Sequence, residues 1–447
     1  MDLYDNIANA LNKKGINVAI GNMYDAMSIW KQYWRGSVND FHFYNVKLAN
    51  GTTKTCERLT MNMAKKVSED FAKLLWTEKT QIQLSNKKAT ERLWSVLDSK
   101  ENSLTINLPI FIEKVCALGS GMLVEYKKEG KTIIDYIDGD CIIPYKYTNG
   151  YINGVISVST FIEKAGEDTL YYSHLMYHEF DGVNYTRYNE LYVSNVENEL
   201  GEEIEFSVKY PNVINPYIIK TDTPHFQVVR PNLANNYDCN TPMGLSVYAN
   251  SLDKLKSIDL KYDSFMREFD LGRKRILVDR AALKAQVNVD ENGKTSMVQY
   301  FDSNDQAYVA INGMEGQPVK EIDFTLRTQE HIDAINADLN WLSSGVGLGQ
   351  NFYKFDGKEV KTATEVISEN SDTFRTREHH WLIIHDAIYD LVKAVCELEG
   401  IQTKSISIIS DDSIIEDKNA KELRAMQKVS QGLSSKKKFL IDVEGMT

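Results

Sequence analysis

Residues 245–272 read LSVYANSLDKLKSIDLKYDSFMREFDLG, and residues 326–342 read LRTQEHIDAINADLNWL. In the first stretch Leu252, Leu255, Ile258, Tyr262, Phe265 and Phe269 recur at intervals of three and four, which places them on one helical face. Asp253, Lys254, Lys256, Asp259, Lys261, Asp263, Arg267 and Glu268 fall on the other faces. Pro242 and Gly244 punctuate the entry, and Ser246 is placed to cap it. Gly272 stops the helix, and Arg273, Lys274 and Arg275 stand just beyond, where cations suit the negative end of the dipole. In the second stretch Ile332, Ile335, Leu339 and Leu342 are spaced three, four and three. So short a helix is marginal alone, so its stripe predicts a partner, and the first helix is the obvious one.

Between them, from about residue 275 to 324, the period changes. RILVD (275–279), MVQYF (297–301) and YVAIN (308–312) read as short strands. DENGK (290–294) reads as a hairpin turn, because Asn-Gly readily takes positive φ. The second helix runs into SSGVGLGQNFYKFDGKEVK (343–361), a loop with Gly345, Gly347, Gly349 and Gly357 among Phe352, Tyr353 and Phe355. Thr362 and Glu365 form a capping box that opens a third helix. Its stripe is Trp381, Ile384, Ile388, Leu391, Val392 and Val395.

The 447 residues suffice for two to four domains. A hydrophobic share of 43% and a charged share of 26% describe an ordered globular chain with ample core material. No apolar run approaches a membrane span, and MDLYDNIANALNKKG lacks the apolar centre of a signal peptide, so the chain reads as cytosolic. Cys56, Cys116, Cys141, Cys239 and Cys396 are odd in number and contain no CxxC, which fits buried or incidental thiols. The net charge of −12 is the wrong sign for a conventional DNA binder. It permits a wall past which DNA slides without sticking.

The first 130 residues are helix-rich: YDAMSIWKQYWRG (24–36) concentrates aromatics at helical spacing, and Leu59–Leu75 and Leu108–Val124 carry amphipathic patterns, the latter broken by GSG at 119–121. From about Met122 to Val229 the period shifts towards two, in segments such as IIDYI, CIIPYKY, GVISVSTF, LYYSHLMYHEF and ELYVSNV. This is an α+β region. The tail from Ile401 has a strand-like SISIIS, acidic residues at Asp411 and Asp412, and a helical pattern with Leu423, Met426, Val429 and Leu433.

Taken in order, several pieces resemble bacteriophage portal proteins of the long-tailed, siphophage type. They are MNMAKKVSEDFAKLLWTE (61–78), ALGSGMLVEY (117–126), TPMGLSVYANSLDKLKSIDLKYDSFMREFDLGRKRI (241–276), the helix–loop series above, TATEVISENSDTFRT (362–376) and IIEDKNAKELRAMQKVSQGLSS (414–435). The resemblance covers most of the chain and rests on the order of these pieces. It implies an α+β portal-type subunit with a wing, a helical stem, a small β-rich clip, a tunnel loop and a short helical crown. On this sequence the wing would be 1–243, stem helix one 244–272, the clip 273–325, stem helix two 326–342, the tunnel loop 343–361, the long wing helix 362–400 and the crown 401–447.

The same resemblance implies a homo-oligomeric ring, typically of twelve subunits, at one vertex of the phage head, assembled in the host bacterial cytoplasm. Its partners would be double-stranded DNA passing without sequence specificity, the terminase large subunit, a head–tail connector or adaptor, and major capsid and scaffold proteins. It implies no membrane, cofactor, metal or catalytic residue. Leu252, Leu255, Tyr262, Phe265, Ile332, Ile335, Leu339 and Leu342 would pack the stem. Gly345, Gly347 and Gly349 would let the tunnel loop move, and Lys354, Lys358 and Lys361 would touch passing phosphates. The crown, ending at Thr447, is short for the family.

The residues leave other classes to weigh: another non-catalytic head protein or connector adaptor, and a metal-dependent DNA enzyme built on scattered carboxylates. GVGLG (345–349) fits neither a dinucleotide nor a P-loop pattern and follows a helix, the wrong context for a phosphate cradle. EHHWLIIHD, with Glu378, His379, His380, His385 and Asp386, is not HExxH, and His174 and His178 fall on a predicted strand. RKR (273–275) and KKK (436–438) read as solvated cations. Tyr24, Trp30, Tyr33, Trp34, Phe41, Phe43 and Tyr44 read as core rather than as a base-stacking platform.

Overall fold

The computed structural model describes residues 3–18, 22–47, 51–165, 168–272, 275–279, 286–289, 295–298, 308–311, 319–322, 325–355, 363–410, 426, 427 and 429. Two helices, α1 (Leu3–Lys13) and α2 (Asn22–Arg35), lead into a hairpin of β1 (Phe43–Lys47) and β2 (Thr53–Glu57). Then come α3 (Met63–Leu75), β3 (Gln81–Leu84), α4 (Lys87–Leu97) and α5 (Leu104–Leu118). The amphipathic pattern at 108–124 is therefore split. Gly119 takes φ +81° and caps α5, and Met122–Val124 belong to a strand.

From residue 121 the chain is strand-rich, as the period-two pattern predicts. A hairpin of β4 (Gly121–Lys128) and β5 (Lys131–Asp138) is followed by β6 (Ile142–Thr148), β7 (Tyr151–Ala165), β8 (Asp168–Phe180) and β9 (Asn184–Ser194), an antiparallel meander. β10 (Glu202–Ile204) and β11 (Tyr217–Lys220) both pair with β9, and β12 (Phe226–Val229) returns to pair with β4. In the meander Ile156 faces Tyr177 and Val158 faces Leu175. Their shared face is covered by Ile7 and Leu11 of α1 and by Val18, which form a core of their own.

The larger core lies between α2, α3, α5, the β12–β4–β5 sheet and a long later helix. Trp30, Val67, Phe71, Leu108, Ile112 and Val115 are almost wholly buried there. Of the aromatics in 24–44, Trp30, Tyr33 and Phe41 are buried, whereas Phe43 on β1 is exposed. The cysteines are all free, and Cys116 and Cys396 are buried. No helix of the described residues is long and apolar enough to cross a membrane.

The later series is α6 (Leu252–Leu271), a β-rich insertion, α7 (Thr328–Gly345) and α8 (Ala363–Glu399). The insertion holds β13 (Arg275–Asp279), β14 (Gln286–Val289), β15 (Thr295–Val298), β16 (Tyr308–Ile311) and β17 (Val319–Ile322). β13 lies between a parallel β16 and an antiparallel β17, and β14 pairs antiparallel with β15. Two of these strands, β14 and β17, escape the sequence reading. The turn at 290–294 lies outside the described residues, but Val289 pairs with Thr295, as a hairpin requires. The Thr362 cap, RK of the RKR cluster and KKK also lie outside them. The last strand, β18 (Ile406–Ile409), pairs with β3 near the other end of the chain, and Ile401 is buried in the larger core. Residues 401–410 thus pack with the amino-terminal part. Beyond them Met426, Gln427 and Val429 are helical.

Candidate functional site: the paired helices and their connector

α6 begins at Leu252, after a 3-10 turn at Ala249–Ser251, and not at residue 245. Ser246 does not cap it. Ser246 is buried, and its Oγ accepts from the Tyr248 N–H at 3.4 Å. Residues 244–248 are instead stitched into the core: the Val247 N–H donates to Cys116 O (2.9 Å), and Tyr248 OH donates to Trp30 O (2.8 Å). The entry segment thus fixes where α6 leaves the larger core.

α6 and α7 pack against each other through the apolar stripes. Leu255, Ile258, Phe265, Ile335, Leu339 and Leu342 are buried, and Leu252, Tyr262 and Ile332 are half-buried. Phe269, near the end, is exposed. Beside the apolar seam runs a polar one. Asp338, 2% exposed, accepts from Lys261 Nζ (2.7 Å) and Ser257 Oγ (2.6 Å). Near the insertion, Glu268 accepts from the Arg327 backbone N–H (2.9 Å), Arg327 Nη2 (2.8 Å) and His331 Nε2 (2.7 Å). Arg327, with help from His331, holds the Glu268 carboxyl low, at about 2.

A third seam was invisible in the sequence. Asp259 and Asp263, which fall outside the apolar stripe, are both 5% exposed. Asp259 accepts from the Met61 N–H (2.8 Å), Thr60 Oγ1 (3.0 Å) and His42 Nε2 (3.1 Å). Asp263 accepts from the Leu59 N–H (3.2 Å) and pairs with Arg267 (3.0 Å). α6 is therefore bolted along one side to residues 41–62. This is why the pattern at 59–75 becomes a helix only at Met63: the residues before it serve as donors to α6.

The connector after α7 is tied down along its described part, 343–355. Gly345 is the last residue of α7. Val346, Leu348 and Tyr353 are buried. The Gly349 N–H donates to Thr373 Oγ1 of α8 (3.1 Å), and Thr376 Oγ1 of α8 donates to Gly347 O. From α7, Asn340 Oδ1 accepts from the Asn351 N–H (2.7 Å) and Asn336 Oδ1 from the Phe355 N–H (2.8 Å). Gly347 has φ +82°, and a Cβ there would meet Thr376 Oγ1 at 2.9 Å. Residues 343–355 are thus a latched strut between α7 and α8, and in it these glycines serve close packing. Lys354 is half-buried; Lys358 and Lys361 lie outside the described residues.

The same geometry removes the phosphate-cradle reading of GVGLG. The N–H groups of Val346, Gly347, Leu348 and Gly349 already donate to Leu342 O, Ser344 O, Ser343 O and Thr373 Oγ1. The histidines are equally committed. Burial pushes His380 down to about 4, and its Nδ1 accepts from the Asn232 N–H (3.0 Å). His174 and His178 contact Asn189 (3.0 Å) and Tyr185 OH (2.8 Å), and burial lowers both. Among the described residues, no three His, Cys, Asp or Glu side chains are grouped to hold a metal.

Comparison with curated proteins finds no match. Comparison with protein families gives a match over residues 1–446, to the model described as phage portal protein, SPP1 Gp6-like. That match takes in the strand-rich region, the paired helices with their insertion, and the helix that follows. The chain therefore belongs to the phage portal protein family, SPP1 Gp6-like, a family of structural virion proteins of DNA packaging and head–tail connection.

Proposed function

We propose that this chain is one subunit of a closed ring, typically of twelve copies, at a single vertex of the phage head, through which double-stranded DNA enters during packaging and leaves at ejection. α6 and α7 are its stem, and the β-rich insertion is its clip. Residues 343–361 are the tunnel loop, with Lys354, Lys358 and Lys361 as its contacts to passing DNA. Residues 1–243 and α8 form the wing, and 401–447 the crown. The observation that carries this reading is the α6–α7 pair: two rods joined at one end by a small β unit and held at the other by the core, in a chain matched to the portal family along its length.

The ring does the work, with no reaction to catalyse. A heterologous contact closes when the rotation per subunit divides a full turn. The outer strands of the clip, β16 and β17, are paired on one side only among the described residues. Such edges favour pairing with a neighbouring clip. A net charge of −12 suits a wall that DNA passes without adhering. The terminase large subunit docks on the clip during packaging and a connector or adaptor does so afterwards; major capsid and scaffold proteins meet the wing.

The test is assembly. Sedimentation of the purified full chain at micromolar concentration and moderate salt is expected to show a high-mass species, and class-averaged electron micrographs a rotationally symmetric particle with a central pore. A species of 51.0 kDa alone would count against the ring. A defined oligomer without a pore would favour the adaptor reading instead.

A further inference from the structure

Glu125 lies on β4 with none of its surface exposed. Its Oε2 accepts from Gln227 Nε2 of the neighbouring β12 at 3.2 Å. Its Oε1 has no partner, and neither has Gln227 Oε1. The pair thus buries two acceptors and lacks one donor, a costly arrangement that a single proton on the carboxyl relieves.

Among the described residues the nearby cations are committed elsewhere: Arg230, just past β12, donates to Pro242 O and to Gly150 O (3.3 Å). α8 presents Asp390, a like charge, and Glu397, while Lys393 of α8 reaches Asp222 (3.2 Å). Lys127 of β4 pairs with Glu399. His225, which precedes β12, is buried, and that burial lowers its pKa, with Glu397 3.6 Å away. Tyr136 of β5 and Tyr185 of β9 are kept as phenols by burial. Arg187 of β9 lies over the rings of Tyr126 and Tyr217. Burial, reinforced by Asp390, pushes the Glu125 carboxyl up to about 8.

We propose that Glu125 is a proton-operated lock: it is held as the neutral acid against Gln227, and loss of the proton releases the carboxy-terminal half of α8 from the β12–β4–β5 sheet. The joint it guards is apolar on the helix side, where Ile388, Leu391, Val392 and Val395 are buried. A carboxylate there would repel Asp390 and draw in water. A cavity of about 310 Å³, lined by Gln227, Val228 and Arg230 and by Ile383, Ala387 and Asp390 of α8, lies beside Gln227 at this joint. The same helix carries Thr373 and Thr376, so a loosened α8 also loosens the strut. The lock works within one subunit and does not depend on the ring.

The sign follows from linkage. The folded pKa is raised above the unfolded value, so this group favours folding most at acid pH, and that contribution is lost as pH rises towards about 8. The test uses the full chain and Glu125→Gln, whose amide can both accept from and donate to Gln227. In hydrogen exchange corrected for intrinsic rate, peptides covering 384–399 are expected to exchange about 100-fold faster at about pH 9 than at about pH 6 in the parent protein. In Glu125→Gln they are expected not to change, and peptides covering α2 should stay constant in both. Infrared difference spectra of parent minus variant at about pH 6 should show a protonated carboxyl C=O band. A carboxylate band instead, or equal pH dependence in the two proteins, overturns the lock. If the variant fails to fold, Asp390→Asn is decisive: without the like charge the Glu125 proton is lost at lower pH, so the rise in exchange must level off at lower pH and at a smaller increase, and an unmoved profile refutes the idea.

Discussion

Gly244→Ala is expected to leave a protein that unfolds or cannot be isolated. A Cβ at position 244 would stand 2.3 Å from Gly119 O and 2.7 Å from Arg230 Cβ. The first obstacle is backbone, which cannot rotate away. Gly119 is held in turn by its own φ of +81° and by Gly244 O, 2.6 Å from where its Cβ would be. The contact is also bonded: the Gly244 N–H donates to Ser120 Oγ at 3.0 Å. Opening it would pull residues 244–248 from the end of α5 and take the origin of α6 with them. Overpacking on an immovable wall costs about 3 kcal/mol or more, a large share of a typical total of about 5–15 kcal/mol. Gly130→Ala is the control. Its φ is +79° but nothing lies within 4 Å of the added methyl, so it should cost only about 1 kcal/mol. Denaturant titration of both variants decides, and a Gly244→Ala protein as stable as Gly130→Ala would show that the contact can yield.

These two glycines show what a sequence can and cannot carry. GSG at 119–121 and TPMG at 241–244 each read as punctuation, and each does end or begin an element. Nothing in either stretch says that they touch, because they lie more than a hundred residues apart. The apolar stripes were legible for a related reason. Period three-and-four on 252–269, 332–342 and 381–395 is a local property, and the fold buries most of those residues. Asp259 and Asp263 were not legible. Their spacing is that of any solvated helix face, and only the three-dimensional approach of residues 41–62 turns them inward. The bonds of the strut were not legible either. Four glycines among aromatics suggest mobility; along 343–355 Thr376 of α8 supplies a donor, and Thr373 of α8 and Asn336 and Asn340 of α7 supply acceptors, that tie the chain down.

The seam between α6 and residues 41–62 should fail sharply when its central carboxylate is removed. Asp259→Ala leaves three donors without an acceptor: the Met61 N–H, the Thr60 hydroxyl and His42 Nε2. His42 cannot adapt by changing tautomer. Its Nδ1 already accepts from the Val38 N–H at 2.8 Å, so its proton sits on Nε2, facing the lost carboxylate. With His42 2% and Asp259 5% exposed, water does not readily substitute. The expected cost is about 3–5 kcal/mol. Asp259→Asn keeps one acceptor oxygen but turns an NH₂ towards donors, so about 2 kcal/mol is expected. Asp253→Ala, on the open side of the same helix, should stay within about 0.5 kcal/mol of the parent. Thermal melts should therefore order the proteins Asp259→Ala, Asp259→Asn, Asp253→Ala from least to most stable. Equal stability of the first and last would mean that the seam contributes nothing. A helix freed on this side also loses its fixed direction, and a rotation that no longer divides a full turn cannot close. At a temperature where Asp259→Asn remains folded, micrographs should then show fewer closed rings than for Asp253→Ala, which separates loss of direction from loss of fold.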